Sequence, residues 1–442
     1  MLTLQGYRIP LSKATLQLRA DLNVKPYVPA VFVNPRYVQR YKIYKETLDY
    51  LYIPKHYGIE KYGQPESLRE VSKTSDKYWD FKGSLRPIQK EVVSKFLEPL
   101  PHDGILSLQT GGGKTVCGLF IASQLKLPTL ILVHNTFLRD QWIERIKDFI
   151  PNARIGTVQG EIVDIHEKDI IVCMLQSLSL KDYPPETFQS IGLVIVDECH
   201  HIASEAFSKS IPKITSKYML GLSATPERKD KLMYIINWFL GPILYQSQND
   251  DKIDEKVKVE YFEFQPPDKE FNDIIYNNQG VMFTSLMINK LVDYKPRNEF
   301  IKNIIEDVIQ DDRNILILTD RVEHTEKIFA LLTPEIQEKS GILLSKLKSD
   351  ERNAIINTKK ILIATYSMCK EGFDVSTLNT LIMATPRPDI EQIVGRILRV
   401  EKNKRTIEPL IIDIVDPAFR RQFQTRLGLY KSRNYIIEKT TF

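Results

Sequence analysis

Apolar residues in this chain gather into short, mostly apolar runs. Residues 105–108, 128–134, 169–174, 193–196 and 218–222 are such runs, separated by stretches with helical spacing. A run of this length that is apolar throughout reads as a strand buried on both faces. Strands of that kind alternating with helices predict a parallel sheet covered on both sides. The helices fall at 90–96, at 116–125 and after His134, in the segment holding Gln141 and Trp142. From about Gly241 the pattern changes. A polar stretch, 249–255, precedes 257–264, which alternates like a strand, and 282–293 is an amphipathic helix. A second strand–helix series follows, with strands at 314–319, 361–365, 380–384 and 409–414, and a basic helical tail from Phe419 to Tyr435.

The first 64 residues differ from the rest. They hold ten Lys/Arg against four Asp/Glu, and nine of the chain's twenty tyrosines. Pro26, Pro29 and Pro35 break them into short strands and turns. Cations interleaved with aromatics at 37–45 suit a nucleic-acid surface, by phosphate pairing and base stacking; tyrosines filling a small β-rich core are the other reading. Residues 63–77 are polar and read as a linker. The expected organisation is an accessory DNA-binding domain at 1–64, a linker at 65–79, and α/β domains at 80–245 and 246–442.

Composition narrows the class. With 442 residues, 43% hydrophobic and 26% charged, the chain has the make-up of an ordinary soluble protein with two or three cores. It has no run of eighteen apolar residues and no charged-then-apolar leader, so no membrane span or secretory signal is expected. Cys117, Cys173, Cys199 and Cys369 form no CxxC pair, which argues against a metal or disulfide framework and fits a reducing cytoplasm. A net charge of +5 weakly favours a polyanionic partner.

Candidate chemistry sits at the ends of the apolar runs. Residues 105–108 lead into Thr110-Gly111-Gly112-Gly113-Lys114-Thr115 and then a helix. Strand, glycine turn and helix together wrap a phosphate in backbone N–H groups, and the helix start adds positive dipole. Lys114 can reach the β- and γ-phosphates of ATP, and Thr115 can offer its hydroxyl to Mg²⁺. The strict spacing asks for glycine where Leu108 stands. Asp197, ending the run at 193–196, can hold Mg²⁺, and Glu198 can orient an attacking water. Ser223-Ala224-Thr225 supplies hydroxyls able to bond Asp197 or His200 and relay nucleotide state. Upstream, Leu85-Arg86-Pro87-Ile88-Gln89 carries a glutamine whose donor and acceptor match the adenine edge, and Phe81 could stack on the base.

As an ordered set, LRPIQ, TGGGKT, DECH, SATPER, Glu371-Gly372-Phe373-Asp374 and QIVGRILR (392–399) resemble the superfamily 2 helicases. The versions here look most like the XPB and UvsW-like DNA branch, and the compact length looks like phage or viral branch-migration helicases. The resemblance runs from about residue 80 to 435 and leaves the first 64 residues outside. It implies two tandem RecA-like parallel-sheet domains with ATP and Mg²⁺ between them. It assigns Arg86 and Gln89 to the nucleotide, Gln392 to the γ-phosphate region, and Arg396 and Arg399 to the arginine-finger motif. Gly372 and Asp374 match the motif that couples nucleotide to DNA, and His200 joins Ser223, Ala224 and Thr225 in coupling. Strand contacts carry over to Asn135, Thr136, Gln159, Gly160, Gln176, Ser177, Thr319, Asp320, Arg321 and Thr365, which in this family hold phosphates and do not read sequence. The implied activity is ATP-driven DNA unwinding or branch migration, by a protein compatible with a monomer, in the cytoplasm (the host's, for a phage or virus). A duplex translocase, an RNA helicase and an ATP-gated binding module are the rivals.

Overall fold

A computed structural model describes the chain except residues 28–38, 66–69, 110, 202–204, 225–230, 248–255, 267, 278–279, 345, 371–374, 376, 399–404 and 442. It divides into two compact units, Met1–Gln248 and Asn249–Phe442.

The first unit is built on an eight-stranded sheet. Its order is Ile162–Val163, Ile155–Gln159, Ile170–Met174, Thr129–Val133, Leu193–Val196, Tyr218–Ser223, Gly104–Ser107 and Ile243–Gln246. All neighbours are parallel except the first pair, an antiparallel hairpin at the edge. Thr129–Val133, Ile170–Met174 and Leu193–Val196 are buried at every residue, which is why their sequences show no alternation. Leu106, Ile131, Ile195 and Leu222 face helices Lys114–Leu125 and Thr136–Phe149 on one side. Ile105, Leu130, Val194 and Met219 face helix Met233–Leu240 on the other. The strand Gly104–Ser107 is separated from the next strand in the chain, Thr129–Val133, by two later ones. That reversal opens a crevice beyond the carboxyl ends of the strands, where ligands of such sheets bind.

Residues 1–64 belong to this unit and carry a four-stranded antiparallel sheet of Leu2–Thr3, Gly6–Pro10, Tyr50–Ile53 and Lys45–Glu46. Its helix Lys55–Tyr62 lies on Met233–Leu240, with Tyr57 edge-on to Trp238 at 4.7 Å between ring centroids. Tyr7, Tyr41 and Tyr57 are buried in the same core as the large sheet, whereas Tyr27 and Tyr62 are exposed. Tyr37 lies outside the described residues. At the junction the buried Lys55 ammonium sits 2.5 Å from Asp103 and donates to the carbonyls of Ser216 and Lys217 at 3.2 and 2.7 Å. Asp103 also accepts the Met219 N–H at 2.9 Å and lies 2.8 Å from His56 Nε2. Burial alone would raise the Asp103 pKa, but Lys55 and His56 outweigh it and hold it below its ordinary value. In the stretch read as a linker, the Thr74 N–H donates to the Lys126 carbonyl and Trp79 is buried.

The second unit is a seven-stranded, wholly parallel sheet ordered Ser340–Leu343, Ile361–Thr365, Ile315–Thr319, Thr380–Met383, Leu410–Val415, Lys258–Glu263 and Ile436–Thr440. Its interior holds several buried, paired polar side chains. Arg297 grips Asp416 through two bonds of 2.6 and 2.9 Å and donates to the Ala384 carbonyl. Arg426 holds Asp413 likewise at 2.8 and 2.7 Å, with the Tyr430 hydroxyl donating to the same carboxylate. His324 donates from Nε2 to the Asn298 amide oxygen at 2.9 Å and accepts the Thr319 hydroxyl at Nδ1, 2.7 Å away.

Burial, reinforced by Arg297 and Lys327, lowers the His324 pKa to about 3. A depressed imidazole stabilises the fold fully above its unfolded pKa of about 6.5, and that contribution is lost as pH falls toward 3. The thermal midpoint of His324→Gln is therefore expected to fall less steeply than wild type between pH 6.5 and 4.5; parallel slopes would refute this. Arg297→Ala strands a buried carboxylate and is expected to cost about 3–5 kcal/mol in urea unfolding.

Candidate active site

The site of the first unit is assembled at the carboxyl edge of its sheet. After Gly104–Ser107 the chain turns through Gly111 and Gly113, both left-handed with φ of 81° and 86°, into the helix Lys114–Leu125. A side chain at Gly113 would lie 2.0 Å from Gln89 Nε2, so the turn and this glutamine are packed against each other. Gln89 is buried. It accepts the Arg86 N–H at 2.9 Å and donates to the Gly112 carbonyl at 3.2 Å, while Arg86 donates to the Gly111 carbonyl at 3.1 Å. Both residues thus brace the glycine loop. Phe81 packs in an aromatic cluster, stacked on Phe149 at 5.5 Å and edge-on to Phe120 at 5.3 Å.

Two carboxylates close the strand Leu193–Val196. Glu198 takes a left-handed φ of 48°, a conformation costly for a side chain of its type and concentrated at functional sites. Its Oε1 accepts from Lys114 Nζ at 3.1 Å, and its Oε2 lies 3.3 Å from His200 Nδ1. The same imidazole nitrogen is 3.1 Å from the Ser223 hydroxyl. The lysine of the loop, the second acid, His200 and the serine that closes the next strand therefore lie side by side, with Lys114 bonded to Glu198 and His200 to Ser223. Asp197 is buried, accepts the Glu198 N–H at Oδ1, and accepts the Trp142 indole N–H at Oδ2, 2.8 Å away. Burial and the Glu198 charge push Asp197 up to about 6, with Lys114 opposing. An electron-rich carboxylate edge facing a glycine loop, a lysine and the Thr115 position fits a nucleotide with its divalent cation. Among the described residues, no group of three or more His, Cys, Asp or Glu could hold a metal through protein ligands alone. Asp197 and the Thr115 hydroxyl could hold a Mg²⁺ ion here together with phosphate and water.

The strand-contact candidates have local duties. Asn135 caps the helix Thr136–Phe149 by accepting the Leu138 N–H, and Gln176 donates to the His134 carbonyl. The Gly160 N–H donates to the Ser177 hydroxyl, and Gln159 accepts from Arg139. In the second unit Thr319 is buried and engaged with His324. Asp320 pairs with Arg387 at 3.2 Å, Arg321 donates to Asn289 and Ser285, and the Thr365 hydroxyl lies 2.9 Å from that of Ser367. Arg396 is buried just beyond the helix Glu391–Val394. Thr110, Thr225, Gly372, Asp374 and Arg399, and the side chain of Gln392, lie outside the described residues.

Sequence reasoning missed Trp142 as part of the site. A tryptophan on an amphipathic helix reads as core, and nothing at that spacing points to an acid 55 residues away. Arg387, paired with Asp320 and 5.0 Å from the Tyr366 ring centroid, was missed because nothing in its spacing points to an acid 67 residues earlier.

A family model described as type III restriction enzyme, res subunit, matches residues 82–228. A candidate ATP-dependent RNA helicase of Acanthamoeba polyphaga mimivirus is 35% identical over 438 residues, covering 96% of this chain and 82% of that protein. A candidate helicase of Escherichia phage T5 is 24% identical over 75% of this chain and 72% of its own length. Saccharomyces cerevisiae Dbp5, bound to RNA and ADP BeF3, shares the fold at a TM-score of 0.56 and 14% identity, covering 80% of this chain and 89% of that one. The ordered motifs stand on parallel-sheet units, and a relative matches along nearly the whole length. This chain therefore belongs to the superfamily 2 helicases and is an ATP-dependent helicase.

Proposed function

We propose that the chain is a DNA motor of the XPB and UvsW-like branch, using ATP with Mg²⁺ to unwind duplexes or drive branch migration. The placing of Lys114 on Glu198, with His200 beside that acid and bonded to Ser223, supports the reading, because it sets the phosphate-binding loop next to the end of the adjacent strand. The restriction-subunit family model and the form of the last motif support DNA. Bound at the loop, Mg²⁺ would neutralise charge on the transferring phosphoryl group. Lys114 would exchange its Glu198 partner for the β- and γ-phosphates. Glu198, relieved of that pairing, would hold the attacking water and accept its hydrogen bond at Oε1. His200 and Ser223 would transmit the change to the following loop. On the motif resemblance alone, Arg396 and Arg399 are assigned to stabilise the transferring phosphoryl group, and Gln392 to sense the γ-phosphate.

Residues 1–64 form an accessory DNA-binding module in this proposal, with exposed Tyr27 and Tyr62, and with Lys42 and Lys45 on its surface. Lys55 is excluded from that role by its burial on Asp103. Viral and phage relatives fit a protein acting in host cytoplasm. Among the described residues no helix is long and apolar enough to cross a membrane. RNA is the second reading, since the mimivirus relative is named for RNA.

Steady-state ATPase with single-stranded DNA, duplex, a four-way junction and RNA tests the proposal. DNA is expected to stimulate and RNA not, with a junction preference indicating branch migration. Glu198→Gln is expected to abolish the stimulated rate, and Lys114→Ala to lower kcat by about two orders of magnitude or more. Stimulation by RNA alone would move the substrate to RNA, and a Lys114→Ala enzyme with normal turnover would overturn the site.

A further inference from the structure

The buried indole of Trp142 stands apart from the other core aromatics of the first unit because its only polar atom is spent on the site. We infer that Trp142 is a positioning residue that fixes the metal-holding carboxylate of Asp197, an inference resting on the nucleotide site proposed above.

An aspartate carboxylate rotates about a soft, roughly two-fold torsion, so its plane is set by its partners. Two donors set it here. The Glu198 N–H takes Oδ1 at 3.0 Å and the Trp142 N–H takes Oδ2 at 2.8 Å. The indole nitrogen can only donate, so it cannot serve Asp197 in any other sense. Trp142 is itself held. It is 1% exposed, and its ring lies against the helix of the phosphate loop, close enough that a methyl at Gly118 would meet its Cη2 at 3.4 Å. Its own helix, Thr136–Phe149, is anchored at the first turn by the Asn135 cap. The indole therefore reaches Asp197 from a rigid base, with one side against the element that binds phosphate.

Mg²⁺ tolerates little departure from octahedral geometry, and outer partners that orient a ligand commonly change metal affinity by about 10- to 100-fold when removed. The same helix begins at Asn135 and Thr136, the proposed strand contacts. One rigid rod thus runs from the strand track to the metal carboxylate.

The test is Mg²⁺-dependent binding of a fluorescent ATP analogue, with thermal midpoints measured alongside. Trp142→Phe keeps an aromatic ring but loses the N–H, and is expected to raise the half-saturating Mg²⁺ about tenfold. Trp142→His loses more packing, yet its Nε2 occupies the equivalent ring position and restores a donor. It is expected to recover most of the Mg²⁺ affinity while lowering the thermal midpoint. In an Asp197→Asn background Trp142→Phe should add no further change in Mg²⁺ requirement. A wild-type Mg²⁺ requirement in Trp142→Phe, with only its melting changed, would overturn the inference and leave Trp142 as packing. Should Trp142→Phe not fold, Trp142→His is compared with Trp142→Leu, which has no donor: a requirement about tenfold higher in Trp142→Leu than in Trp142→His supports the inference, and equal requirements overturn it. If wild-type protein itself shows no Mg²⁺-dependent binding, the proposed nucleotide site has failed, which is a different result.

Discussion

Two adjacent carboxylates at the end of a buried strand, facing one lysine, set the terms for the rest of the first unit. Asp197 is buried at the sheet edge, and both that burial and the Glu198 charge raise the cost of ionising it. Lys114 offsets that cost, and its ammonium reaches Glu198 because the glycine loop turns the helix start toward the strand ends. The glycines at 111 and 113 are required for that turn, since both adopt left-handed backbone and Gly113 meets the Gln89 side chain. Gln89 and Arg86 in turn hold the loop carbonyls. In the proposed mechanism these structural duties are exchanged as nucleotide binds, which is how a binding site becomes a switch.

The amino-terminal module obeys a different constraint. Its own sheets are too small to enclose a core, so Tyr7, Tyr41, Tyr57, Leu18, Leu22 and Leu51 join the core of the large sheet, and Lys55 is buried on Asp103. A buried ion pair is costly to break because either partner alone is left charged in an apolar setting. It also fixes orientation, through the added bonds to Ser216, Lys217 and Met219. The excess of cations counted over residues 1–64 therefore overstates what the surface can offer a polyanion.

The large parallel sheets were legible in the chain because strands buried on both faces show as continuous apolar runs. Ile361–Thr365 lies where the pattern put it, and most others shift by a residue or two at their ends. The nucleotide motif was legible for a related reason: glycine turn, lysine and paired acids are local arrangements with fixed offsets. Contacts joining distant segments were not. Nothing in the spacing of Trp142 and Asp197, of Lys55 and Asp103, or of Arg297 and Asp416 declares a pairing, since each depends on which strands become neighbours. Short edge strands such as Ile162–Val163 and Ile436–Thr440 were missed because half-exposed residues carry little hydrophobic signal.

The strand-contact candidates show what a motif does and does not specify. Asn135 is committed to capping its helix and Thr319 to His324, so these side chains serve first to shape their loops. Loops shaped this way present backbone N–H groups and helix starts, which suit phosphates without reading bases. Substitutions there would then act through loop geometry as much as through lost contacts. Arg321 differs, since it is bonded to exposed partners on a neighbouring helix and does not cap its own, so its removal would disturb the fold less than that of Asn135 or Thr319.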